Sequence, residues 1–64
     1  MTYSDIMSLA NKIDQRKGYY LEFLIQLPNG EFSTRTAFDY STAKAIALQW
    51  EGRIYRTTLK CKRR

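Results

Sequence analysis

Apolar residues recur along this chain with two different periods, and the switches between them mark out a helix, two strands, a second helix and a third strand. From 4 to 16, SDIMSLANKIDQR, the residues Ile6, Leu9, Ala10 and Ile13 fall at i, i+3, i+4 and i+7. That is one face of an amphipathic helix, with Met7 widening the stripe. Ser4 is the expected N-cap and Asp5 suits the positive end of the helix dipole. Lys12, Arg16 and Lys17 gather near the other end, and Gly18 stops the helix.

At residue 19 the period drops to two. YYLEFLIQL (19–27) and EFSTRTAF (31–38) flank Pro28-Asn29-Gly30, so the segment predicts a hairpin with a type I′ turn at Asn29-Gly30. Alternation puts Tyr19, Leu21, Phe23, Ile25 and Leu27 on one face of the first strand, and Tyr20, Glu22, Leu24 and Gln26 on the other. In the second strand Ser33 and Arg35 are expected to join Tyr20, Glu22, Leu24 and Gln26 on an open face.

Residues 41–51, STAKAIALQWE, return to helical spacing. Ala43, Ile46, Ala47 and Trp50 form the stripe, and the N-cap falls to Ser41, with Asp39 competing for it. The alanines would let this helix lie close on a sheet, and Trp50 reads as a core plug. Gly52 is the expected helix stop, leading into a strand over 53–60, RIYRTTLK, and a basic tail over 61–64. A right-handed crossover after a hairpin returns the third strand beside the first. The expected fold is therefore one α+β domain, 1–64, in the order α-β-β-α-β. It has a three-stranded antiparallel sheet, order 2-1-3, with both helices on one face.

Length limits what this fold can do. Sixty-four residues bury only about 60% of their unfolded surface, enough for one sheet and its helices. Cys61 is the one cysteine and histidine is absent, which fits a reducing, cytoplasmic setting and excludes the usual zinc patterns. Asp5, Lys12, Asp14, Arg16 and Lys17 interrupt the apolar positions of the first twenty residues, so neither a signal segment nor a membrane span is expected there.

Catalytic chemistry is not expected. Without histidine the commonest general base is missing, and Asp5, Asp14, Glu22, Glu31, Asp39 and Glu51 are scattered over caps, turn flanks and strands. No phosphate-cradling glycine loop is present, and Cys61 has no apparent base partner. No cofactor or metal is implied.

The charge points to a binding role. Eleven Lys/Arg against six Asp/Glu give +5, a balance that points to nucleic acid, an acidic protein surface or an anionic membrane, of which the first two are the expected partners and a membrane is not. The excess is heaviest after Gly52: Arg53, Arg56, Lys60, Lys62, Arg63 and Arg64. Strand parity groups Arg56 and Lys60 together, but Ile54 and Leu59 cannot both reach the core without a bulge. With Tyr55, Thr57 and Leu59 inward, Arg56 and Lys60 project from the open side of an edge strand, where cations also discourage aggregation. Tyr20 is the aromatic expected beside them.

The hairpin with EF opening its second strand, STAKAIALQW as the helix and RIYRTTLK as the last strand together resemble the small host RNA polymerase inhibitors of T7-like phages. The likeness runs from about Tyr20 to Lys60. In that family arginines of the third strand contact the polymerase, which implies such a role for Arg56 and, less directly, Arg53. The first helix and the strongly basic balance depart from that family.

The leading expectation is a small non-enzymatic inhibitor or modulator that docks on an acidic surface of a host nucleic-acid-processing machine (a polymerase, a nuclease or a CRISPR effector). Arg56, Lys60, Arg35, Arg53 and Tyr20 are its expected contacts. The alternative is direct DNA or RNA binding through Arg56, Lys60, Lys62, Arg63 and Arg64. A third is a structural or homo-oligomeric module in which the first helix packs against a second copy.

Overall fold

The computed structural model describes residues 2–16 and 18–62. It comprises α1 (Tyr3–Gln15), β1 (Tyr19–Gln26), β2 (Phe32–Ala37), α2 (Tyr40–Trp50), a 3-10 turn (Glu51–Arg53) and β3 (Ile54–Cys61). The expected α-β-β-α-β order stands, and the sheet is antiparallel with order β2-β1-β3. Both helices lie on one face of the sheet and pack against each other. Among the described residues no helix is long and apolar enough to cross a membrane.

The core forms where the two periods meet. Leu21, Phe23 and Ile25 of β1 point at the helices and are fully buried; Ile6, Ala10 and Ile13 of α1, with Ala43 and Ala47 of α2, cover them. Each large side chain buried in this way contributes about 1.5–3 kcal/mol of transfer free energy. The small residues Ala10, Ala43 and Ala47 keep both helices close to the strands. Trp50, Tyr3, Tyr19 and Tyr40 pack around the rim of this core, half-buried.

The caps differ from those expected. Thr2, not Ser4, opens α1: its hydroxyl accepts the Asp5 N–H at 3.2 Å while the Asp5 carboxylate accepts the Thr2 N–H at 3.3 Å, a reciprocal capping box. Asp39, not Ser41, opens α2, its carboxylate accepting the Thr42 N–H at 2.8 Å. Hydrogen bonding to that N–H, with help from the Thr42 hydroxyl and the Ser41 N–H, holds the Asp39 carboxyl below its ordinary value. The two helices are tied at this point, because Asp14 of α1 accepts the Tyr40 N–H at 2.8 Å. Gly52 is not a left-handed helix stop. It lies in the 3-10 turn, and positive φ is confined to Gly18 and Gly30 among the described residues.

Two single-residue irregularities set which side chains share a face. The hairpin loop is not a two-residue type I′ turn, which needs positive φ at Asn29 as well as at Gly30. Instead the Gly30 N–H donates to the Leu27 carbonyl and the Leu27 N–H donates to the Glu31 carbonyl. Pro28-Asn29-Gly30 thus forms a three-residue loop with Gly30 at φ +90°. The extra residue shifts β2 by one and turns it over. Phe23 pairs with Arg35 and Ile25 with Ser33, while Gln26 pairs with Phe32.

The second irregularity is a bulge in β3. Leu24 pairs with Arg56 but Ile25 with Ile54, leaving Tyr55 as the extra residue. The bulge lets Ile54, Thr57 and Leu59 all face the helices, and Tyr55 swings to the opposite face.

Candidate nucleic-acid interface

Among the described residues nothing covers the sheet face away from the helices. Its middle row comes from β1: Tyr20, Glu22, Leu24 and Gln26. Register places Phe32, Thr34 and Thr36 of β2 on one side, and Arg56, Thr58 and Lys60 of β3 on the other. Phe38, just beyond β2, and Tyr55, at the bulge, complete it.

Aromatic rings gather at its two ends. Phe32 and Tyr55 come from the two outer strands and meet across β1 as an edge-to-face pair, centroids 5.3 Å apart. At the other end Tyr20 and Phe38 form a tilted pair at 5.6 Å, and the Lys62 ammonium sits 4.7 Å from the Phe38 centroid. Phe32, Phe38 and Tyr55 remain 50%, 55% and 63% exposed, so each keeps ring surface free for a partner. Between the two ends lies a floor of Leu24, Thr34, Thr36, Thr58 and the Lys60–Glu22 ion pair (3.0 Å). No pocket opens on the described residues.

Electrostatics distinguish this face from the helical one. Among the described residues, Lys12, Arg16 and Lys44 in or capping the helices are matched by Asp5, Asp14 and Asp39. The uncovered face carries Arg56 and Lys60, with Lys62 at its rim, against a single acid, Glu22, already paired with Lys60. The basic excess therefore concentrates on the side that also presents the aromatics.

The expected contact residues separate into groups. Arg56, Lys60 and Tyr20 come together on the uncovered face, as the sequence suggested. Arg35 does not join them. It is exposed on the helix side of the β2 edge, its guanidinium donating to the Ser33 hydroxyl (2.9 Å) and the Thr34 carbonyl (3.1 Å), because the three-residue loop reversed that strand. Arg53 lies in the 3-10 turn before β3, its guanidinium 5.9 Å from the Trp50 ring, and so belongs to the α2 end. The stretch expected as a tail starts inside the sheet: Cys61 ends β3 and the Lys62 N–H donates to the Gly18 carbonyl. Arg63 and Arg64 lie outside the described residues.

Sequence reasoning missed Phe32, Phe38 and Tyr55 as members of this face. For Phe32 and Phe38 the available signal was the tripeptide Pro28-Asn29-Gly30, and for Tyr55 it was the conflict between Ile54 and Leu59 over the core. Proline favours the first central position of a type I turn and glycine the left-handed position after it, a combination that specifies the longer loop.

Comparison of the chain with known protein families, with characterised proteins and with solved structures found no match.

Proposed function

We propose that this protein is a non-enzymatic binding protein of the cytoplasm that takes single-stranded nucleic acid on its uncovered sheet face. The observation carrying this reading is the coincidence, on one sheet face, of four aromatic rings with the cations Arg56, Lys60 and Lys62. Flat rings accept the faces of unstacked bases, each stack being worth about 1–3 kcal/mol, while neighbouring cations neutralise phosphates. Duplex DNA keeps its bases stacked inside and offers such a surface only phosphates.

A second reading is docking on an acidic surface of a host nucleic-acid-processing machine, in the manner of the T7-like polymerase inhibitors. Arg56 beside the exposed Tyr55 favours it, since arginine and tyrosine are enriched at protein hot spots.

Fluorescence anisotropy of a labelled single strand at low salt separates the two. Single-strand binding predicts stronger capture of a single strand than of duplex. It also predicts a log K against log salt slope of about −2, from three cations at about 0.7 each. Absence of binding at low salt, with one protein retained from nuclease-treated host lysate and lost in Arg56→Glu, would establish the second reading instead.

A further inference from the structure

We infer that the uncovered face is a two-ended site, in which one strand of nucleic acid runs along the β-strand direction and is gripped by a base at each aromatic pair. The inference rests on the single-strand reading and deepens it. The two pairs occupy opposite ends of the face: Phe38 lies six residues from Phe32, and at about 3.3 Å per strand residue this separates them by roughly 20 Å.

The floor between them has no aromatic ring. Its threonines, Leu24 and the Lys60–Glu22 pair offer hydrogen bonds and contact area but nothing to stack on. Stacked nucleotides advance about 3.4 Å each, so roughly six would cover the span, and fewer would suffice with an extended backbone. The site therefore holds about four to six nucleotides, at the low end of what small single-strand modules accept.

The cations give the strand a side. Arg56, Lys60 and Lys62 all belong to β3 or its continuation, while the described residues of β2 offer only Phe32, Thr34 and Thr36 to this face. Phosphates lie over β3 and bases lean toward β2. Lys60 exchanges its Glu22 partner for a phosphate on binding; the pair is solvent-accessible, so the exchange costs little.

Joining two weak sites through one flexible ligand gives a length dependence that a single site lacks. Oligothymidylates from about two to about twelve nucleotides, titrated at low salt, should gain affinity steeply up to about four to six nucleotides and only slowly beyond. Phe32→Ala and Phe38→Ala should each lower affinity for the longer oligomers by about 5- to 150-fold, the loss of one stacked base. Each should leave dinucleotide binding within about two-fold, because the other end still serves it. Phe32→Leu and Phe38→Leu, which keep apolar bulk and remove the ring, should reproduce the loss with the fold intact by circular dichroism. A length profile flat from the dinucleotide onward, or an effect from only one of the two positions, overturns the two-ended site and leaves the single-strand reading standing. No binding at any length removes that reading along with it.

Discussion

Thr57 offers the sharpest test of how the core is built. It faces the helices from β3 opposite Phe23, is 7% exposed, and its hydroxyl has no hydrogen-bond partner among the described residues. Regular pairing of Thr57 with Phe23 and of Leu59 with Leu21 turns this position inward, so a polar side chain occupies an apolar site. Burying an unpaired hydroxyl costs about 1–3 kcal/mol in protein substitutions. Valine has almost the same shape, keeps the β-branch that suits a strand and replaces the hydroxyl with a methyl. Thr57→Val should therefore stabilise the domain by about 1 kcal/mol or more, the lower end of that range. In a chain of this size that raises the thermal midpoint by about 4–8 °C, or shifts the urea midpoint upward with an unchanged slope. Thr57→Ser, which keeps the hydroxyl and deletes the methyl, should destabilise by about 1 kcal/mol. A loss of stability in the valine variant would instead mean that the hydroxyl is satisfied, for instance by an enclosed water, and that the site is not apolar.

Two further predictions concern local structure. Asp39 has its carboxyl held below the ordinary 3.8 by the Thr42 N–H, so its contribution is complete above that value and is lost as pH falls through the lower folded value. Asp39→Asn should keep the cap but flatten the acid limb of a stability–pH curve, whereas Asp39→Ala should lower stability at neutral pH as well; equal acid limbs in wild type and Asp39→Asn would contradict this. Gly30→Ala should cost about 1–2 kcal/mol from positive φ alone, because its Cβ would meet no atom within 4 Å. Gly52→Ala, equally open but without positive φ, should be neutral or mildly stabilising, as paired denaturant titrations would show.

Much of this fold is legible in the sequence because two periodicities and their punctuation agree. Ile6, Ala10 and Ile13 mark the buried face of α1, and Leu21, Phe23 and Ile25 that of β1, without help from any other element. Sheet order followed from connection lengths and handedness. Face membership in the outer strands was not legible, for a single physical reason. Strand side chains have a period of two, so one additional residue reverses every side chain that follows it. The third residue of the hairpin loop moved Arg35 off the uncovered face and brought Phe32 onto it. The bulge did the same for Tyr55 while allowing Ile54 and Leu59 to share the core, the conflict already visible in the parity of β3. The caps depart from expectation for a narrower reason. Thr2 and Asp5 have capping-box spacing, but Ser4 stood nearer to the first apolar residue.

The register also changes which side chains the face presents. Polar parity alone suggested a basic edge with one tyrosine, suited to steering toward an acidic surface. The observed register replaces Arg35 with aromatic side chains and leaves Arg56 and Lys60 in place, which suits bases and phosphates together.

Titrating a short single-stranded oligonucleotide into isotope-labelled protein, and following amide and aromatic resonances, would locate ligand on or off the uncovered sheet face. Shifts should concentrate on Tyr20, Leu24, Phe32, Phe38, Tyr55, Arg56 and Lys60, with α1 and α2 unmoved. Shifts confined to the helices would place the ligand elsewhere, and none at low salt would mean that this face takes no single strand.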